Sequence, residues 1–308
     1  MVVVGQKRKI LRERQVMNVK PNARIAFQGE TGAFSEQAVL ELLGEGVARV
    51  PRPTFESAFA AVDDGVADYV LAPIENSLAG SVHRSFDLLV EGRLNIVGEV
   101  IIPIVHNLIA APGASFERIA IVESHPVALA QCEKFFAAHP HLQRIATNDT
   151  AGSACEVVRS RDLTRAAIAS QRAAEVYGGV VLREHLEDNR ENYTRFLLLS
   201  PSAVAPEDAN KLSLVFQLDH RPGALHHSLE PFARRNINMM KIESRPVHGR
   251  PWQYRFYLDL SASRGNPEVE AALAELGKIV VELRILGSYR SARMPIETIN
   301  QQAERERK

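Results

Sequence analysis

The chain has 308 residues, 45% of them hydrophobic and 24% charged, with 37 Lys+Arg against 37 Asp+Glu. This excludes a disordered or fibrous protein and leaves room for two or three domains with cores of their own. With no net field to hold polyanionic nucleic acid or an anionic membrane surface, neither is expected as a partner, and an anionic ligand must be met locally. No apolar run approaches the ~20 residues that span a bilayer. The start, Met1-Val2-Val3-Val4 followed by Lys7-Arg8-Lys9, has too short an apolar segment, in the wrong order, for a secretory signal. Residues 1–23 therefore read as a disordered basic tail. Cys132 and Cys155 fall on apolar helix faces outside any CxxC or Cys/His cluster, which gives no metal site and suits a reduced cytoplasm.

Residues 24–28 form the first apolar strand, and Gly29-Glu30-Thr31-Gly32-Ala33-Phe34-Ser35 turns it into a helix with Ala38, Val39, Leu42 and Leu43 on one face. Free N–H groups near Gly32 and Ser35, at that helix start, could hold a carboxylate or phosphate, although the GxGxxG and GxxxxGK[ST] spacings are missing and no nucleotide is indicated. Thr54 is a candidate N-cap for a helix carrying Phe55, Ala58, Phe59 and Val62. The next strand, residues 69–72, delivers Glu75, Asn76 and Ser77 at its carboxyl end, where ligands bind in open α/β sheets. After a helix with Phe86 and Leu89 inward and a strand over 96–102, Pro103 marks a crossing into a second lobe.

In that lobe, strand 118–122 leads through Ser124-His125-Pro126 into a helix with Leu129, Cys132 and Phe136 buried. Ser124 and Gln131, seven residues apart, would look along one side of it. The unit repeats with Asp149 and Thr150 before a helix bearing Ala151, Ala154, Cys155 and Val158, and again with strand 166–169 and Ser170. Repeated strand–loop–helix units imply a two-lobed, doubly wound α/β domain over 24–200: lobe one about 24–103 plus 189–200, lobe two about 104–188. The stretch Asn192-Tyr193-Thr194-Arg195-Phe196 crosses back, and it is expected to present a hydroxyl and a guanidinium side by side at the mouth of the apolar run 196–199.

Residues 201–210 have linker composition. Over 211–291 the expected order is strand 212–218, a helix from Gly223-Ala224-Leu225, strand 238–244, a turn at His248-Gly249, strand 252–260, a helix with Leu273 and Leu276, and a strand near 281–288: a ferredoxin-like βαββαβ domain. Residues 292–308 read as a polar tail.

Taken in order, Gly29 to Ser35, Glu75-Asn76-Ser77, Ser124-His125-Pro126, Gln131-Cys132, Asp149-Thr150-Ala151 and Asn192 to Phe196 resemble the prephenate dehydratase family. The C-terminal part resembles a phenylalanine-binding ACT domain through Gly223-Ala224-Leu225 and Glu243-Ser244-Arg245-Pro246. Departures are small: Glu30 and Ala33 stand where proline and threonine are common, and Val127 where glutamine often follows Ser-His-Pro. The resemblance implies a periplasmic-binding-protein-like catalytic domain acting as a carbon–oxygen lyase on prephenate, without metal or other cofactor. Thr194 would assist departure of the hydroxyl, with Arg195, Glu75, Asn76, Ser124 and Gln131 around it. Gly32, Ser35, Ser77, Asp149, Thr150 and Phe196 would line the substrate. It also implies feedback by L-phenylalanine at Gly223, Ala224, Leu225, Asn238, Glu243, Ser244, Arg245 and Pro246, and self-association as a homodimer or homotetramer. Arogenate dehydratase shares the pattern, and a non-catalytic amino-acid sensor is the rival of another class; a hydroxyl at Thr194 beside an anion site favours catalysis.

Overall fold

The computed structural model of the chain describes residues 19–247 and 249–294; residues 1–18 and 295–308, which hold most of both expected tails, and His248 of the expected turn lie outside them. Lobe one contains β1 (Arg24–Gln28), α1 (Phe34–Leu43), β2 (Ala48–Arg52), α2 (Phe55–Asp63), β3 (Tyr69–Asn76), a two-residue β4 (Gly80–Ser81), α3 (His83–Glu91) and β5 (Asn95–Pro103). Its sheet runs β2-β1-β3-β11-β5, where β11 (Tyr193–Ser200) returns from the other lobe and lies antiparallel between β3 and β5. The strands are apolar on both faces because both are covered. Phe27, Leu71, Ile102, Phe196 and Leu198 pack on the α1 side, while Ile74, Leu197 and Leu199 meet Phe59 of α2 and Phe86 and Leu89 of α3. Thr54 starts α2 with a reciprocal pair: its hydroxyl accepts from the Ser57 N–H and the Ser57 hydroxyl accepts from the Thr54 N–H.

Lobe two contains β6 (Asn107–Ala110), a 3-10 turn at Phe116–Arg118, β7 (Ile121–Ser124), α4 (Pro126–Ala130), α5 (Glu133–Ala138), β8 (Gln143–Ala146), α6 (Thr150–Ser160), β9 (Arg165–Ala169), α7 (Gln171–Tyr177) and β10 (Val180–Arg183). Its sheet order is β10-β6-β9-β7-β8. The expected single helix after Ser124 is two, broken where Cys132 leaves helical geometry at φ −123° and ψ 31°; Ser124 itself ends β7 and α4 holds only Pro126–Ala130, so Ser124 and Gln131 do not share a two-turn helix face. Where the lobes meet, Gly32 has φ +89°, and a Cβ there would lie 2.9 Å from Cα of Ala173 in α7. Only glycine allows that turn and that approach together.

The C-terminal domain is β12 (Lys211–Gln217), α8 (Ala224–Ala233), β13 (Met239–Val247), β14 (Arg250–Leu260), α9 (Pro267–Ile279) and β15 (Glu282–Tyr289), in the antiparallel order β13-β14-β12-β15. Strand alternation divides its sheet: Leu212, Leu214, Phe216, Leu258 and Leu260 pack under α8 and α9. The other face is not left open. Val215, Tyr257, Leu286 and Tyr289 join Leu197 and Leu199 in one core with lobe one. The Tyr257 hydroxyl donates to the Phe86 carbonyl at 2.6 Å, and the Arg284 guanidinium takes the carbonyls of Gly92 at 2.7 Å and Leu94 at 2.9 Å, just past the end of α3. A Cβ at Gly287 would lie 2.2 Å from the Ile96 carbonyl oxygen, so a bare backbone lets β15 lie against β5. This apolar face is thus buried against lobe one, and β13 is an edge strand of the sheet.

Candidate active site

Along β11 successive side chains alternate faces, and this separates the two residues expected to act side by side. Thr194 points with Phe196 to the α1 side; Arg195 points with Leu197 to the C-terminal domain. Thr194, 8% exposed, lies opposite Asn76 in the β3–β11 register. The Asn76 Nδ2 is 3.0 Å from Thr194 Oγ1, 2.8 Å from Asn192 Oδ1 and 3.1 Å from the Tyr193 carbonyl. Its Oδ1 accepts from the N–H groups of Leu78 and Ala79 at 3.0 and 2.8 Å. Asn192 in turn donates from Nδ2 to Gln131 Oε1 at 3.0 Å, and the same oxygen is 2.8 Å from Nε2 of His106.

A polar chain therefore runs from lobe one (Thr194, Asn76) through the return crossing (Asn192) to lobe two (Gln131) and back to the outward crossing (His106). Burial lowers the His106 pKa against the raising effects of Gln131 and Glu187, which keeps the ring neutral at pH 7. Asn192 and His106 were not among the expected site residues. Asn192 stood in the quoted motif, but nothing near His106 in sequence marks it, since Gln131 lies 25 positions away.

The other expected residues distribute as follows. Ser124 is fully buried and its hydroxyl donates to the Ile168 carbonyl at 2.6 Å, a bond between β7 and β9 that removes it from the cleft. Phe196 is core. The Gly32 N–H is taken by the buried Glu36 carboxylate at 2.6 Å, and that carboxylate also pairs with Arg49 at 3.0 Å, so the turn is already supplied with an anion. The Ser170 hydroxyl holds the Gly32 carbonyl and the Tyr177 hydroxyl the Thr31 carbonyl, at 2.6 and 2.7 Å, which clamps this turn against lobe two. Ser35 is buried in the first turn of α1. Ser77 stitches the crossing: its hydroxyl donates to the Glu191 carbonyl at 2.8 Å and accepts from the Tyr193 N–H at 2.9 Å. Asp149 caps α6 by accepting from Gly152 at 2.7 Å, and Thr150 opens that helix.

Arg195 is not an open carboxylate site. It is held 2.7 Å from Asp259, 3.2 Å from Glu99 and 3.5 Å from Glu75, while Lys211 reaches Glu99 at 2.7 Å and Lys241 reaches Glu75 at 2.9 Å. Glu75 thus faces the C-terminal domain too. Burial opposes the Asp259 charge, but Arg195 and Lys211 outweigh it and hold this carboxyl below the usual range. The physical reason for both corrections is that Arg195 and Glu75 are register partners on the strand face opposite Thr194 and Asn76.

The same alternation sorts β13. Glu243 accepts from Ser81 at 2.6 Å and Arg245 forks onto Asp87 at 2.9 and 3.2 Å, so these two expected effector residues bind lobe one instead of a free ligand. Ser244 and Pro246 are exposed, as is Asn238. Gly223, at φ +78°, precedes α8, with Ala224 buried and Leu225 exposed.

A cavity of about 900 Å³ lies elsewhere, among Arg24, Asp68, Tyr69, Ser200, Pro206 and Arg290. It sits at the amino end of β1 and β3, whereas α/β sheets bind ligands at the carboxyl ends, and its Arg24–Asp68 and Arg290–Asp208 charges are already paired.

Residues 25–203 match the sequence model of prephenate dehydratase. The chain is 42% identical over 286 residues to arogenate dehydratase/prephenate dehydratase 6 of Arabidopsis thaliana, covering 87% of this chain and 69% of that protein. It is 37% identical to the bifunctional chorismate mutase/prephenate dehydratase of Neisseria gonorrhoeae, over 91% of this chain and 78% of the other. Among solved structures, prephenate dehydratase from Arthrobacter aurescens in complex with L-Phe superposes with a TM-score of 0.80 at 32% identity, over 92% of this chain and 98% of that one. A protein described as a novel type of quorum quenching acylase superposes with a TM-score of 0.81 at 34% identity, over 89% and 99%.

Proposed function

The chain belongs to the prephenate dehydratase family, and from that premise we propose that it converts prephenate to phenylpyruvate at the Thr194 end of the interlobe polar chain. The bond from the ring to its carboxylate breaks, the electron pair enters the ring, and the hydroxide on the opposite ring carbon leaves, to become water with one proton. Aromatisation drives the step. The protein has to orient the ring and stabilise the departing oxygen. The observation that carries this reading is the polarity at Thr194: Asn76 Nδ2 donates to Oγ1, and among the described residues nothing accepts the threonine's own proton, which is left for a ligand oxygen. A threonine hydroxyl is a poor acid, so its contribution is a hydrogen bond to developing charge.

The test is proton NMR of purified protein with prephenate: ring vinyl signals are replaced by five aromatic protons with one carbon dioxide released, and an unchanged spectrum refutes the reading. Arogenate is the second reading, favoured by the 42% identity to relatives named for both substrates. An acyl transferring nucleophile has less support here. Among the described residues no base is hydrogen-bonded to the Thr194 hydroxyl, Ser124 spends its proton on Ile168, and burial pushes the Cys132 thiol well above its ordinary range.

The C-terminal domain is proposed as an ACT module that binds L-phenylalanine, the amino acid with which the Arthrobacter relative is in complex. Gly223 to Leu225, Asn238 and Ser244 remain the ligand-facing candidates. Glu243 and Arg245, and the Lys241–Glu75 and Asp259–Arg195 pairs, would carry the effect to β3 and β11 one residue from Asn76 and Thr194. Self-association is proposed through the open β13 edge, where Met240 and Ile242 are exposed. Ile242→Lys should lower the mass in sedimentation; an unchanged mass refutes that edge. A cytoplasmic setting fits the two free, buried cysteines.

A further inference from the structure

The orientation of every group in the polar chain is dictated from one end. The N–H groups of Leu78 and Ala79 can only donate, so the Asn76 atom they meet is its carbonyl oxygen, and Nδ2 must face Thr194 and Asn192. The Asn192 atom it meets is then Oδ1, so Asn192 turns Nδ2 to Gln131, and the Gln131 atom that receives it is Oε1. An acceptor already facing His106 at 2.8 Å requires the ring proton on Nε2. The remaining ring nitrogen, Nδ1, is buried with no hydrogen-bond partner among the described residues, and Phe34 packs edge-on against the ring at 5.7 Å. A buried, unpaired acceptor is costly, and a neutral ring is the form that tolerates this apolar side.

We propose that His106 and Asn192 are positioning residues: a neutral His106, protonated on Nε2, together with Asn192 holds Gln131 and Asn76 in the one polarity that leaves the Thr194 proton for the substrate. The four groups behind Thr194 come from both lobes and both crossings, so the polarity is complete only with the lobes in this arrangement. The role given to Thr194 rests on the dehydratase reading; the polarity itself does not, and it can be read without turnover.

The experiment is 15N-edited NMR of the histidine rings in the full chain near pH 7, alongside prephenate kinetics. The His106 ring is expected to carry its proton on Nε2 with Nδ1 bare. Asn192→Asp replaces the donor facing Gln131 with an acceptor, so the Gln131 amide turns over and the ring proton moves to Nδ1. His106→Leu removes the terminal donor and is expected to lower kcat on the order of tenfold with KM within about twofold, the size of one modest hydrogen bond. His106→Gln, which returns a donor at similar reach, recovers most of that loss. An Nδ1-protonated or doubly protonated His106 in the parent chain, or an Asn192→Asp ring unchanged from the parent, overturns the proposal even if H106L does not fold. So does an H106L protein with parental kcat. A parent chain that converts neither prephenate nor arogenate would refute the dehydratase reading, while the spectra still decide the polarity.

Discussion

Thr194→Val separates chemistry from folding because of how the structure divides the hydrogen bonds around it. Valine keeps the branched shape at a position with 8% exposure and removes one oxygen. Asn76 Nδ2 has two hydrogens and three acceptors, at 2.8, 3.0 and 3.1 Å; without Oγ1 it still has Asn192 Oδ1 and the Tyr193 carbonyl, so no buried donor is orphaned. The cost to stability is therefore that of one shared hydrogen bond, about 1 kcal/mol or less. Loss of a donor to a developing oxyanion costs about 100- to 1,000-fold in kcat. The assay pairs prephenate turnover with a thermal melt. T194V is expected to lose rate by that factor with a nearly parental melt, while Thr194→Ser, which keeps the hydroxyl but frees its rotor, retains most activity. A T194V protein within about threefold of parental kcat would refute the role given to the hydroxyl.

Other outcomes follow from the seam between lobe one and the C-terminal domain. Asp259→Asn leaves Arg195 and Lys211 facing fewer buried negative charges, and should cost about 3–5 kcal/mol in a denaturant melt; a loss below about 1 kcal/mol would mean the cluster is solvated. Gly287→Ala places a methyl on the Ile96 carbonyl, so it should loosen the contact of the C-terminal domain with lobe one, seen as faster amide exchange in β5 and β15; unchanged exchange would contradict the close approach. The His106 pKa is lowered in the folded chain, so the unfolded chain takes up the proton first as pH falls. Stability should therefore decline below the ordinary histidine value of 6.5, with that part of the slope missing in His106→Leu. An identical slope in both proteins would refute a buried, neutral ring.

Much of the fold was legible because apolar runs such as 25–27 and 70–72 alternate with capped helices, and because polar residues at the carboxyl end of a strand, Asn76 above all, are where an α/β sheet places its ligands. What failed has a common cause. Adjacent residues in a strand serve opposite faces, and sequence alone does not say that the C-terminal domain covers one of them; hence Arg195 and Glu75 were placed beside Thr194 and Asn76 when they are bonded to Asp259 and Lys241. Glu243 and Arg245 were misplaced in the same way. Ser124 spends its hydroxyl on the Ile168 carbonyl of the neighbouring strand β9, a partner 44 residues on that its own sequence surroundings do not reveal. His106 was missed because a lone histidine in a crossing segment gains meaning only when folding brings Gln131 to it.

The most direct test of the account is a competition: the full chain with an equimolar mixture of prephenate and arogenate, the products resolved by mass. Phenylpyruvate as the main product is the predicted result. Absence of both phenylpyruvate and phenylalanine would contradict it and leave the two lobes as a binding module.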